Sequence, residues 1–161
     1  VEVDPAVSQL ARDHFLLDRL DQISPGSSSR ISTTNMDGRA FLEGGYGHAR
    51  YDVIANDCFG ALLPTRSLAT LEGARVARGR LARDGIYVAN VVSALEGERS
   101  RLLRDVTCTL REVFSHVYVI PCSTDEPDVE DNNVVVASDT PLAPEGAFEP
   151  SCDPAGVVLR D

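Results

Sequence analysis

Apolar residues fall into short runs divided by polar and glycine-bearing turns. "YDVIAN" at 51–56, "GIYVANVV" at 85–92, "HVYVIPCS" at 116–123 and "NNVVVASD" at 132–139 are rich in β-branched and aromatic residues and read as strands. Between them, apolar spacing near three and four predicts helices at about 66–83 and 96–114. Upstream, "VEV" at 1–3 reads as the end of a strand, and "DPAVSQLARDHFLLDRL" as a helix with Val7, Leu10, Ala11 and His14 or Phe15 on one face. Asp4 is a good N-cap, with Pro5 at the first helical position. A flexible "SPGSSS" loop at 24–29, a strand "RISTTNM" at 30–36 and a short helix between Asp37 and the glycines at 44–45 complete the pass.

Strands alternating with helices define an α/β domain, and strands that are apolar throughout are those buried on both faces of a mainly parallel sheet. The last two strands are joined by the acidic loop "TDEPDVEDN", which is too short for a crossover helix, so they should be antiparallel. The expected organisation is one domain over 1–139 and an irregular, proline-rich tail over 140–161. No internal repeat is visible.

Charge narrows the chemistry. The net charge is −10 and all 15 basic residues are arginine, so lysine Schiff bases, lysine nucleophiles and the phosphate-loop lysine are excluded. An acidic chain opposes broad contact with nucleic acid or anionic membrane, so neither is expected as a partner. A cationic partner would be favoured, although a solvated acidic surface explains the same charge. Cys58, Cys108, Cys122 and Cys152 include no close pair of the zinc or redox type and read as reduced structural thiols. No apolar run reaches the roughly 20 residues of a membrane span. The chain reads as cytoplasmic.

Three carboxylates stand at the C-terminal ends of successive strands. Glu2 lies in the first, Asp37 directly follows the second, and Asp57 ends the third. In an open parallel sheet these ends share the edge where ligands bind. Asp37 serves equally as the cap of the short helix after it. Glu2, inside a short apolar strand, costs desolvation unless something binds it. Asp57 opens a loop, so capping explains it poorly.

The blocks "VEVDPAVSQLARDHF", "NMDGRAFL" and "YDVIANDCFGALLPTRSLATLEGARVARGRLARDGIYVANVV" resemble consecutive blocks of the spermidine synthase family, from residue 1 to about 139. The resemblance implies a Rossmann-like class I methyltransferase sheet, mainly parallel with an antiparallel C-terminal strand. It implies donor contacts from Glu2, Val3, Met36, Asp37 and Gly38, with Glu2 at the ribose and Asp37 at the adenine amine. Asp57 matches the acid that serves the amine substrate. The implied reaction moves an aminopropyl group from decarboxylated S-adenosylmethionine to a polyamine such as putrescine, with no metal. A homodimer is left open.

Two features depart from that family. Its members usually carry a second acid three residues after the first, where this chain has Gly60. Their glycine-rich first strand and turn would lie before Val1, between the strands of Glu2 and Asp57, so the chain reads as truncated at its N-terminus. Two alternatives stay open: a methyltransferase using S-adenosylmethionine on an unknown acceptor, and a family-derived domain without catalysis. His14, His48 and His116 lack catalytic partners in sequence, Cys58 lacks a basic neighbour to activate it, and Ser67 and Thr70 read as the start of a helix.

Overall fold

The computed structural model describes residues 1–19, 31–45, 49–60, 63–64, 66–150 and 156–161. It divides into two compact units, Val1–Gly47 and His48–Asp161. The expected loop at 24–29 and His48 lie outside the described residues.

In the first unit, Asp4 and Pro5 open helix α1 (Pro5–His14) as the sequence predicts, with Asp4 Oδ1 accepting the Ala6 N–H at 2.8 Å. The two flanking strands shrink to a single parallel bridge between Glu2 and Asn35. The Glu2 N–H donates to the Thr34 carbonyl at 3.0 Å, and the Met36 N–H to the Glu2 carbonyl at 3.1 Å. A ladder has no room to grow, because the Asp4 cap and Pro5, which lacks an N–H, turn the chain into a helix at once. The apolar face expected on α1 is also not a buried one. Leu10 is 52% and Phe15 78% exposed, whereas Ser8 is buried and accepts the Asn35 side-chain amide at 2.7 Å. A second short helix, α2 (Gly38–Ala40), follows Asp37 and passes into a wider turn at Phe41–Gly45.

The second unit holds a four-stranded sheet of β1 (Tyr51–Asn56), β4 (Leu81–Ser93), β5 (His116–Pro121) and β6 (Asp131–Ser138), in the order β1-β4-β6-β5. A small hairpin, β2 (Phe59–Gly60) and β3 (Leu63–Pro64), follows β1. β1 is parallel to β4, and β6 is antiparallel to both β4 and β5. The last two strands are therefore antiparallel as expected, and β6 lies between β4 and β5.

Thr70 splits the helix predicted over 66–83. Its extended backbone ends α3 (Arg66–Ala69), and its hydroxyl accepts the Gly73 N–H at 3.2 Å, capping α4 (Leu71–Arg80). The chain then enters β4 at Leu81, four residues before the sequence pattern suggests. The helix predicted over 96–114 is shorter, because Gly97 at φ +73° precedes one tight turn, Glu98–Ser100, and α5 runs from Arg101 to Arg111. Leu68, Ala74, Val106 and Leu110 from these helices are buried with Tyr87, Ala89 and Val91 of β4. Full burial of both faces does not extend to β1, where Val53 is 54% exposed.

Residues 141–150 and 156–161 contain no helix or regular strand, as expected of a tail, yet they are tied down. Phe148 and Val119 exchange two backbone hydrogen bonds of 2.9 and 3.0 Å. Further on, the Val157 N–H donates to Asp105 Oδ1 at 2.7 Å, the Leu159 N–H to Thr109 Oγ1 at 2.9 Å, and the Leu71 N–H to the Leu159 carbonyl at 2.8 Å. Gly156 lies so close to α5 that an added Cβ would come within 2.5 Å of the Cys108 sulfur. The segment thus straps α5 to the start of α4.

Asp105→Ala should lower the unfolding free energy by about 1–3 kcal/mol, the usual cost of orphaning a buried hydrogen-bonding group, whereas Asp105→Asn, which keeps an acceptor at Oδ1, should lose far less. Urea denaturation of the variants compares the two; equal losses would refute the strap's dependence on this contact.

Candidate functional site

Asp57 immediately follows β1, and its carboxylate is exposed. The register explains what lies beside it. Asn56, the last residue of β1, pairs with Ala89, so the next residue of β4, Asn90, comes level with Asp57. Asn90 Nδ2 donates to Asp57 Oδ1 at 3.3 Å and to Asn132 Oδ1 at 3.0 Å. Asn132 is placed there by β6, on the opposite side of β4 from β1. Both amide hydrogens of Asn90 are used, while its Oδ1 is buried without a hydrogen bond among the described residues.

A second polar pair lies behind the acid. Asn56 is buried and donates through Nδ2 to the Tyr87 hydroxyl at 2.8 Å, while its Oδ1 accepts the Cys58 N–H at 3.3 Å. The amide therefore fixes the backbone just beyond Asp57. Burial pushes the Tyr87 hydroxyl up from 10.0 to about 12; the Asn56 bond pulls against this, and Cys58 adds a smaller rise. The phenol is a neutral structural group, stacked on Phe114 with ring centroids 6.1 Å apart.

The C-terminal end of β4 also carries the acidic loop. Ser93 pairs with Asp131, and the Leu95 and Glu96 N–H groups both donate to the Pro127 carbonyl at 2.8 Å. Asp125, Glu126, Asp128 and Glu130 are exposed on that loop. The end of the sheet that holds Asp57 is therefore strongly negative.

The other candidates belong to the first unit, where the bridge brings Glu2, Met36 and Asp37 together. Glu2 Oε1 accepts the Asp4 N–H at 2.8 Å, and Asp37 Oδ1 accepts the Ala40 N–H at 2.9 Å. The capping reading of Asp37 is thus realised, and Glu2 has a structural partner as well. Each keeps a second carboxylate oxygen with no hydrogen bond among the described residues. Val3 is exposed, Met36 is half-buried, and Gly38 opens α2.

Asn90, Asn132 and Tyr87 are the site residues that sequence reading missed. A signal for Asn90 existed: an amide inside the apolar run "GIYVANVV" raises the same desolvation question as Glu2 in "VEV". Asn132 carried none, since it opens its strand beside the acidic loop. No helix of the described residues is long and apolar enough to cross a membrane.

No protein-family model matches the chain. Over 161 residues it is 27% identical to the polyamine aminopropyltransferase of Vibrio vulnificus (strain CMCP6), covering 99% of this chain and 48% of that protein. It superposes on a probable spermidine synthase from Corynebacterium glutamicum ATCC 13032 with a TM-score of 0.70 at 24% identity, covering 88% of this chain and 47% of the other. Human methyltransferase-like protein 13 in complex with SAH gives a TM-score of 0.60 at 22% identity over 91% of this chain and 61% of the other. A spermidine synthase in complex with the transition state analogue AdoDATO gives 0.61 at 19% identity over 86% and 45%. The resemblance to the spermidine synthase family is therefore shown, and the fold is the mixed α/β sheet shared with methyltransferases. The chain spans about half the length of the curated relative it matches.

The raised Tyr87 value makes a pH prediction. A folded-state value above the unfolded one stabilises the fold fully below pH 10.0, and the contribution is lost as pH rises through about 12. Unfolding free energy should fall over that interval in the native chain, and Tyr87→Phe should remove this part of the fall. Denaturant titrations at stepped pH check it, and parallel curves for the two proteins would contradict it.

Proposed function

We propose that this chain carries the amine-binding and part of the donor-binding machinery of an aminopropyltransferase of the spermidine synthase type. The observation that carries the reading is the exposed Asp57 carboxylate at the C-terminal end of β1, held by Asn90 beside an acidic loop. The likeness to the Vibrio vulnificus polyamine aminopropyltransferase supports it over the full chain.

The chemistry asks for such a group. An alkylamine with a pKa near 10.4, like that of lysine, arrives protonated and has no free lone pair. A carboxylate attracts the cation, orients its nitrogen and takes a proton from it, which frees the lone pair for attack. In the proposed reaction the amine nitrogen attacks the propyl carbon beside the sulfonium of decarboxylated S-adenosylmethionine. The C–N bond forms, the C–S bond electrons return to sulfur, and methylthioadenosine leaves. Asp57 takes the proton. Asn90, donating to one carboxylate oxygen, leaves the other for the amine.

On the donor side, Glu2 would accept the ribose hydroxyls and Asp37 the adenine amine through the oxygens their caps leave unused, with Val3, Met36 and Gly38 against the nucleoside. Gly60 removes the second acid of the family pattern, so one carboxylate would anchor the diamine where relatives use two. A charge-assisted hydrogen bond contributes about 1.5–3 kcal/mol, so putrescine should bind more weakly than to a two-acid loop. That same Gly60 favours the second reading, methyl transfer from S-adenosylmethionine to an acceptor with one amine, which the fold shared with the human methyltransferase-like protein also accommodates.

In the protein that contains this chain, decarboxylated S-adenosylmethionine and putrescine should yield spermidine and methylthioadenosine. Asp57→Asn should cut turnover by about 10²–10⁴-fold, the range for lost acid-base assistance, with donor binding retained. Turnover unaffected by that change would remove Asp57 from the mechanism. Methyl transfer from S-adenosylmethionine without aminopropyl transfer would replace the first reading by the second.

A further inference from the structure

The opposite end of the same sheet has a cavity that aminopropyl transfer does not use. β1 pairs Tyr51 with Leu81, and then Val53 with Ile86, so residues 82–85 of β4 bulge out of the ladder. Asp84 adopts φ +61° in this bulge, and Gly85 is required beside it, since an added Cβ would lie 2.9 Å from the Tyr51 carbonyl oxygen. The bulge, the end of α4 and the start of the tail border an open cleft of about 630 Å³, within the range of small-molecule sites. From Tyr51 to Asn56 the strand climbs roughly 3.3 Å per residue, so this cavity is separate from the Asp57 end.

Its walls are cationic over an apolar floor. Arg75, Arg78 and Arg83 line it together with Leu81 and Val113. Two carboxylates line it too, and both are engaged. Asp139 binds Arg78 Nε at 2.8 Å and accepts the Ser115 N–H at 3.4 Å; Asp84 accepts the Thr140 hydroxyl at 2.7 Å and lies 3.8 Å from Arg83 Nε. Arg75 makes no ion pair or hydrogen bond among the described residues, and the 97%-exposed Arg83 side chain has only that long contact. In a chain of net charge −10, Arg75 faces this cavity without a carboxylate partner among the described residues, and Arg83 keeps only the 3.8 Å contact with Asp84.

We propose that this cavity binds a small phosphate monoester with an apolar body. The planar forks of Arg75 and Arg83 match phosphate oxygens in bidentate fashion, two such cations suit a dianion, and Leu81 and Val113 receive the apolar part. The volume suits a small molecule. Turning the Arg78 fork is unnecessary, since its pairing with Asp139 holds the wall in place.

The test titrates the full chain with phenyl phosphate, with inorganic phosphate and benzyl alcohol as the two halves of the probe, by calorimetry at about 20 mM salt, where screening is weak. Phenyl phosphate should bind saturably and more tightly than inorganic phosphate, and benzyl alcohol should not bind measurably. Arg75→Gln and Arg83→Gln should each weaken phenyl phosphate about tenfold. Both residues are exposed, so the variants should fold, and an unchanged circular dichroism spectrum checks this. Asp57→Asn should leave the affinity as it was. Absence of saturable binding, or binding that survives the Arg75/Arg83 double change, would overturn the proposal.

Discussion

Hydrogen bonding along both edges of β4 is the constraint on which the other features of the second unit depend. Every residue of a strand brings one donor and one acceptor that must be satisfied, and β4 satisfies them against β1 on one side and β6 on the other. Ala89 illustrates the consequence, being paired at once with Asn56 and Val135. With that residue fixed twice, its neighbour Asn90 has little freedom, and its amide meets Asp57 from one flanking strand and Asn132 from the other. A slip of one residue in either ladder would turn Asn90 to the opposite face and leave Asp57 without its anchor.

The ladder also explains why a hydrophobic strand ends on a carboxylate. Inside β1 a carboxylate would lose its water without recompense; one position beyond the last paired residue, Asp57 keeps its solvent while the strand still fixes its backbone. Asn56 finishes the job from within, one end of its amide held by the Tyr87 hydroxyl and the other by the Cys58 N–H. Asn90 shows the cost of this arrangement. Its Oδ1 is buried without a hydrogen bond among the described residues, a deficit on the order of 1–3 kcal/mol, and buried groups left in that condition are uncommon enough to call for an explanation. Orientation of the Asp57 carboxylate supplies one.

How much of this could be read from residues alone depended on the range of the forces involved. The strands at 51–56, 116–121 and 131–138 were legible because β-branched runs are local signals, and the capping of α1 by Asp4 is local too. The insertion of β6 between β4 and β5 was not, since pairing order is set by contacts between segments distant in sequence, such as Val88 with Val136. The exposed apolar face of α1 failed the periodicity rule for a related reason. Spacing identifies which residues share a face, but only a facing layer buries them, and there Ser8 is buried instead. Asp57 could be singled out by its place after a strand; its dependence on Asn90 and Asn132 follows from register, which no single segment encodes. The tail at 140–161 looked irregular by composition and is irregular in conformation, yet its hydrogen bonds to Asp105, Thr109 and Leu71 come from residues far away in sequence.

The charge distribution along β4 gives the net charge of −10 a more specific meaning. At the C-terminal end of the strand stand Asp57 and the exposed acids of the 125–131 loop; at the start stand Arg75, Arg78 and Arg83, with Arg50 donating to the Gly79 carbonyl nearby. The two ends lie further apart than the roughly 8–10 Å over which salt screens charges at physiological strength, so neither cancels the field of the other in its own neighbourhood. A small cation approaching the acidic end meets an attractive field that a uniform surface of the same net charge would spread thinly. At the other end Asp139 is paired with Arg78 and Asp84 accepts the Thr140 hydroxyl, which leaves Arg75 and Arg83 to attract a small anion. Overall acidity, taken alone, would have argued against any anion site on this chain; the separation of charge along one strand would let the proposed amine-directed end and the proposed phosphate-directed end coexist on a single sheet.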